Sequence, residues 1–259
     1  MISIQSQIDR FKWLYKNYRK INSQTTIAPT HYLGPITYNC DSLTTSNNCD
    51  FLTEPRFVKA YQAAKATKPW DGFTLQWRTY IFCYFANLAK HLQGDYVECG
   101  VNTGAYSIAA INYINFENYN KTYYLFDTFG GLNTNQITEA EYKAGIGEYL
   151  GNYHDVYEDV KATFKNYNVK VVKGLVPDTL TECKATSICF LSIDMNVTAP
   201  EIAAINYFWN SIVSGGIIVL DDYGFPPHIN QKYAFDEFAK QKNVDILSLP
   251  TGQGIIFKP

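Results

Sequence analysis

Charge is scarce in this chain. Asp, Glu, Lys and Arg make up 18% of its 259 residues and nearly cancel, to a net −2. Nucleic-acid binding usually needs a basic patch, so the balance gives no support to a nucleic-acid partner. Long apolar runs are missing too. No stretch reaches the roughly 18 uncharged residues of a membrane-spanning helix, so no membrane partner is expected. The first twenty residues carry Asp9, Arg10, Lys12 and Lys16 and lack the apolar core of a secretory leader. The expected location is therefore cytoplasmic. The six cysteines form no C-x-x-C pair. A disulfide framework is not expected in a chain of this size and pattern, and only Cys40 and Cys49, flanking a polar loop, offer a local pairing. No internal repeat and no low-complexity tract is present.

Apolar residues are plentiful at 46%, enough for a sizeable core in one α/β domain with additions. Aromatics reach 16%, with 21 Tyr. Packing is their usual task, and lining a pocket for a ring-shaped substrate is the functional alternative.

Two regimes follow each other along the chain. Ile4, Ile8, Phe11, Leu14, Tyr15 and Tyr18 have helical spacing over residues 1–20. Residues 22–52 are rich in Asn, Ser, Thr, Pro and Gly and read as an irregular segment or lid. A helix is predicted from Glu54 to Thr67, with Thr53 as N-cap, and a second from Leu75 to His91. From Gly94 onward strands and helices alternate, which implies a parallel sheet with crossovers. Predicted strands are Tyr96–Cys99, Tyr123–Phe126, Val169–Val172, Ile188–Ile193, Gly216–Leu220, Asp245–Leu249 and Gly254–Phe257. Predicted helices are Ala105–Tyr113, Val156–Phe164, Pro200–Ile212 and Gln231–Gln241. The short link after Leu249 permits a hairpin, which makes the last strand antiparallel. The expected fold is a doubly wound, mostly parallel seven-stranded α/β sheet. A helical and loop cap (1–69) precedes that domain (70–259).

The carboxylates at the predicted strand ends are the functional candidates. Ile217-Ile218-Val219-Leu220 runs straight into Asp221-Asp222, and paired charges are costly to bury without a neutralising partner. Asp194 ends the preceding strand. Open α/β sheets bind ligands at such ends. Three hard oxygen donors, Asp194, Asp221 and Asp222, suit Mg²⁺ or Ca²⁺ rather than zinc; capping roles for Asp194 and Asp222 are the alternative. Glu98-Cys99-Gly100-Val101-Asn102-Thr103-Gly104 is a glycine turn between strand and helix, where a ligand approaches backbone N–H groups. It departs from the dinucleotide G-x-G-x-x-G spacing because Asn102 and Thr103 replace the middle glycine. Glu98 is either a ligand contact or a solvated rim residue. Asp127 follows Glu98 by 29 residues, the length of one crossover, and can accept hydrogen bonds from ribose hydroxyls or make an Asx turn. His228, just past the doublet, is a candidate base.

These residues occur in an order that resembles the class I S-adenosylmethionine-dependent methyltransferases, in particular the macrocin, mycinamicin and noviose O-methyltransferase family. The carrying segments are Tyr96-Val97-Glu98-Cys99-Gly100-Val101, Phe126-Asp127-Thr128-Phe129-Gly130-Gly131-Leu132, Lys173-Gly174 with Asp178-Thr179-Leu180, Ile193-Asp194, and Gly215-Gly216 through Asp221-Asp222-Tyr223-Gly224. The resemblance spans roughly residues 70–258. It implies S-adenosylmethionine as cofactor, with Glu98 and Gly100 at the methionine end, Asp127 at the ribose, and Gly104, Thr128, Gly174 and Asp194 as further contacts. It implies Mg²⁺ or another hard divalent cation on Asp194, Asp221 and Asp222. It implies methyl transfer to a hydroxyl of a sugar or glycosylated small molecule. The expected partner is thus a small-molecule or glycan substrate, with room for a homo-oligomer. Asn196 stands where the family commonly has a second acidic residue, a candidate base. Asp194, Asp221 and His228 are then the remaining catalytic candidates. Asn196 also motivates a second reading, a non-catalytic cofactor-binding partner protein. A nicotinamide-linked oxidoreductase is a third, disfavoured by the glycine spacing and the terminal hairpin.

Overall fold

The computed structural model of the chain describes residues 34–146 and 154–259; the helix expected over 1–20 lies outside them. Seven strands form one sheet: β3 (Asp95–Cys99), β4 (Tyr123–Asp127), β5 (Val169–Lys173), β6 (Ile188–Ile193), β7 (Ile212–Leu220), β8 (Leu247–Ser248) and β9 (Gly254–Phe257). Their order is β5-β4-β3-β6-β7-β9-β8. The pairs among β3 to β7 are parallel, and β9 runs antiparallel to both β7 and β8. The order reverses between β3 and β6, the switch point where such sheets hold ligands.

The sheet's two faces are written into alternate residues. Tyr96, Leu125, Phe190 and Val219 pack under the helices of one face: α1 (Pro55–Ala66), α2 (Gln76–Ala89) and α3 (Ala105–Ile114). Val97, Phe126, Leu191 and Ile218 pack against α6 (Thr198–Phe208) and α7 (Ile229–Lys242) on the other. Short helices α4 (Glu139–Ala144) and α5 (Tyr157–Phe164) lie between β4 and β5. The strands of this centre are apolar on both sides because both faces are covered.

Differences from the expected elements sit mostly at their ends. Pro55 at the first helical position starts α1 one residue later, with Glu54 as N-cap, while Thr53 belongs to a preceding 3₁₀ turn. β7 extends back to Ile212 through Gly215 and Gly216, and β8 keeps only two residues. The segment expected to be irregular contains a hairpin, β1 (Tyr38–Cys40) and β2 (Leu43–Thr45). It is fastened to the start of α2: the Tyr38 hydroxyl donates to the Thr74 carbonyl at 3.1 Å, and the Tyr38 ring stands edge-on to Trp77. All six cysteines carry free thiols.

Candidate active site

The glycine turn after β3 is locked by its neighbours. Gly100 has φ +90°, and a Cβ there would lie 1.9 Å from the Asp194 carbonyl oxygen, so no other residue fits. Asp194 in turn donates its N–H to the Cys99 carbonyl at 2.8 Å. Asp127 closes the turn from the other side. Its Oδ2 accepts N–H bonds from Val101 (2.6 Å) and Asn102 (2.8 Å), and its Oδ1 accepts from Phe129 (2.6 Å). Asp127 thus makes the Asx turn, the alternative to a ribose contact, and also staples the glycine loop. α3 begins at Gly104 without any side-chain cap. Its first-turn N–H groups are the kind that hold a carboxylate or phosphate. Thr128 donates its hydroxyl to the Gly131 carbonyl at 2.5 Å and shapes the loop after β4. Gly174 donates its N–H to the Asp127 carbonyl and ties the end of β5 to that of β4.

Glu98 is not at a solvated rim. It is 1% exposed and accepts hydrogen bonds from the hydroxyls of Ser107 and Tyr123. Burial pushes its pKa up to about 8, against the pull of those two donors.

The expected trio Asp194, Asp221 and Asp222 sits at the adjacent ends of β6 and β7. Among the described residues no three acidic, histidine or cysteine side chains are gathered into a set that could hold a metal ion. The expectation of a converged ligand trio is corrected here, and the reason is Arg78. Its Nη1 lies 2.7 Å from Asp221 Oδ2 and 3.3 Å from Asp222 Oδ1, and its Nε lies 2.8 Å from Asp41 Oδ2. Gln253 Nε2 donates to the other oxygen of Asp221 at 3.1 Å. The doublet therefore faces a guanidinium and an amide in place of a shared point with Asp194. His228 Nε2 lies 3.6 Å from Asp222 Oδ2, and its ring is buried beside Phe225.

One guanidinium faces several carboxylates in this corner. Burial pushes the Asp194 pKa well above the carboxylate range, and the charges of Asp221 and Asp222 push it the same way. Asp41 is raised to about 6, by burial first, with Arg78 opposing and the doublet adding. Glu201, on α6, is raised by burial and by Asp222. It accepts from the Met195 N–H at 2.9 Å and from Gln231 Nε2 at 3.1 Å, which fixes the turn that contains Asn196. Asn196 itself has φ +60°, a conformation asparagine tolerates. The Tyr106 hydroxyl is buried with no partner among the described residues, its ring stacked on Phe82.

Arg78, Asp41, Glu201 and Tyr106 were not singled out from the sequence. Arg78 had a readable signal. It stands one helical turn before Phe82 in an otherwise uncharged helix, so it falls on the buried face, where a charge requires partners. Asp41 and Glu201 had none, because only the fold brings them to the strand ends.

Comparison with known proteins follows the same lines. The family model for macrocin-O-methyltransferase (TylF) matches residues 83–248, well over half of the chain. The solved O-methyltransferase NovP superposes with a TM-score of 0.62 at 18% identity, covering 70% of this chain and 79% of NovP. CalS11, a calicheamicin methyltransferase, gives 0.54 at 13% identity, covering 82% and 98%. An O-methyltransferase from Bacillus cereus, solved with SAH, gives 0.52 at 13% identity, covering 79% and 91%. At these identities the structures speak for the fold. No curated protein sequence matches the chain.

Proposed function

The chain belongs to the macrocin-O-methyltransferase family, and from that membership we propose that it transfers a methyl group from S-adenosylmethionine to a hydroxyl of a sugar or glycosylated small molecule. The observation that carries the reading is the Asp127 carboxylate holding the Gly100–Gly104 turn beside an uncapped helix start, next to the acidic corner. A zwitterionic amino acid moiety suits that place, with its carboxylate toward the first turn of α3. In this reading Glu98, Gly100 and Gly104 surround the methionine end, Asp127 and Thr128 the ribose, and Gly174 and Asp194 complete the cofactor's surroundings.

S-adenosylmethionine, when bound, supplies an electrophilic methyl on a sulfonium, and the transfer is an in-line displacement helped mainly by positioning. The protein's part is to present the acceptor hydroxyl opposite the sulfur and to exclude water. The hairpin β1–β2 and the 67–75 segment act as cap: Tyr38 ties the hairpin to Thr74, Asp41 pairs with the Arg78 that faces the β7 doublet, and Thr67 meets Thr103 in the turn after β3.

The acidic corner fits a hard divalent cation in its donor chemistry. Asp41, Asp194, Asp221 and Asp222 are carboxylates opposed by the single charge of Arg78, and oxygen-only donors suit Mg²⁺. Arg78 occupies the doublet as placed, so Asp194, Asp221 and Asp222 would hold a cation only with the guanidinium displaced, and it would then orient the acceptor and lower the pKa of its hydroxyl.

The test is calorimetry with SAH, followed by SAH-release assays with sugar acceptors, with and without EDTA. TDP-rhamnose is the first acceptor to try, because CalS11 is a TDP-rhamnose 3′-O-methyltransferase. Failure to bind SAH sinks the cofactor assignment. Full activity in EDTA sinks the cation. SAH binding with no turnover of any acceptor favours the non-catalytic reading that Asn196 motivates.

A further inference from the structure

The acidic corner contains a carboxylate that lies outside the family-matched stretch, Asp41 at the tip of the β1–β2 hairpin. The hairpin closes on two residues, Asp41 (φ +52°) and Ser42 (φ +61°), with Cys40 paired to Leu43. Two successive left-handed residues make a type I′ turn, which normally takes Asn-Gly or another glycine pair. Here neither residue is glycine, and strain of this kind persists where the surroundings enforce it. Arg78 lies against this turn. Its Nε is 2.8 Å from Asp41 Oδ2, an ion pair without hydrogen-bond alignment, while its Nη1 donates to Asp221 and Asp222. Asp41 thus stands one guanidinium away from the doublet. It is also the most open acid in that ion-pair cluster: its side chain is 16% exposed, against 6% for Asp221 and 10% for Asp222.

Three further facts bear on its use. Asn196, two positions after Asp194, carries an amide that cannot take a proton at neutral pH. Asp221 has both oxygens engaged, by Arg78 and Gln253. Among the described residues Asp41 has one ion pair, made through Oδ2.

We propose that Asp41 is the catalytic base of the methyl transfer, brought into the site by the cap hairpin and aimed by Arg78. The carboxylate takes the proton of the acceptor hydroxyl. The hydroxyl oxygen forms its bond to the methyl carbon, the carbon–sulfur bond breaks, and its electron pair stays on sulfur. Sulfonium and carboxylate become thioether and carboxylic acid, and the proton leaves to water when the cap opens. A pKa of about 6 suits this role: the group is ionised at neutral pH yet more basic than an ordinary aspartate. The proposal rests on the O-methyltransferase reading above.

The experiment compares wild type, Asp41→Asn and Asp41→Glu with TDP-rhamnose and the other acceptors of that assay. Four quantities are read: kcat, acceptor KM, SAH affinity and melting temperature. A base predicts a kcat about 100-fold lower in Asp41→Asn. It also predicts an unchanged SAH affinity and a KM within about threefold, with Asp41→Glu recovering at least about tenfold in kcat, whatever the loss of the Arg78 pair does to the melting temperature. A kcat within about threefold of wild type overturns the proposal. So does a kcat that falls only in step with SAH affinity and melting temperature, because Asp41 is then a strut for the cap. Wild-type protein that binds SAH but methylates no acceptor overturns the functional reading, and this proposal with it.

Discussion

The guanidinium of Arg78 stands 2.7 Å from the carboxylate of Asp221, across 143 residues of sequence. That single contact joins the helix beneath the cap to the end of the strand that carries the acidic doublet. Both partners are buried, so neither charge can fall back on solvent. Removing one partner of such a pair leaves an uncompensated buried charge, at a cost of about 3–5 kcal/mol. Arg78→Leu is therefore expected to lose about that much in urea unfolding. Arg78→Lys is expected to fall between, because one ammonium cannot span Asp41, Asp221 and Asp222 as the planar fork does. An unfolding midpoint unchanged in Arg78→Leu would show that the pair contributes nothing.

Gly100→Ala tests the lock between β3 and β6. The added methyl would meet the Asp194 carbonyl oxygen at 1.9 Å and its carbon at 2.3 Å, and both atoms are backbone. The left-handed φ alone costs about 1–3 kcal/mol for a residue with a Cβ. The strand ends must then separate, so the variant is expected to melt lower and to lose SAH binding together. Retained binding at wild-type affinity would mean that the turn can shift without consequence.

Glu98 gives the fold a pH dependence of known sign. Its pKa rises from the ordinary 4.5 to about 8 on folding, because burial disfavours the anion. Between these values the unfolded chain has released the proton and the folded chain keeps it. Stability therefore falls as pH rises through that window, by up to about 1.4 kcal/mol per pH unit from this group, and levels off above it. Glu98→Gln keeps an oxygen for the Ser107 and Tyr123 hydroxyls and has no proton to lose. Its stability is expected to exceed that of wild type at pH 8 and to approach it at pH 5. Parallel stability curves for the two proteins would refute the buried-acid account.

Much of the site was readable because its signals are local. The apolar run Ile217–Leu220 could only be a strand covered on both faces, and the doublet after it could only lie at a sheet edge. The same logic placed Glu98, Asp127 and Asp194 at strand ends, as observed. What escaped was long-range. Whether the doublet meets a cation, a metal or water depends on which residue of another element arrives there, and spacing does not encode that. The hairpin at 38–45 escaped for a related reason. Its two three-residue strands are too short for alternation to register, and its turn lacks the Asn-Gly signal. Glu98 was legible as a strand-end acid but not as a buried one, because Ser107 and Tyr123 reach it from α3 and β4.

Asp127→Asn separates a loop-holding carboxylate from a merely polar one. In the wild type three backbone N–H groups converge on the two carboxylate oxygens, at 2.6 Å, 2.8 Å and 2.6 Å. All three are charge-assisted, the stronger class of hydrogen bond. An asparagine has one oxygen and one NH₂ at that place. If its oxygen serves Val101 and Asn102, its NH₂ faces the Phe129 N–H, donor against donor. If it is flipped, two N–H groups of the glycine turn lose their acceptor. Either way the glycine turn loosens, while the core strands keep their packing. An unpaired donor costs about 1–3 kcal/mol, which corresponds to roughly a 5- to 150-fold weaker SAH affinity if the cost falls on the bound turn. Calorimetry on a protein whose melting temperature is checked in parallel gives the answer. A large loss of affinity with modest loss of stability is expected. Equal affinity in Asp127→Asn would mean that the turn holds its shape without this carboxylate, and that the cofactor assignment must rest on other residues.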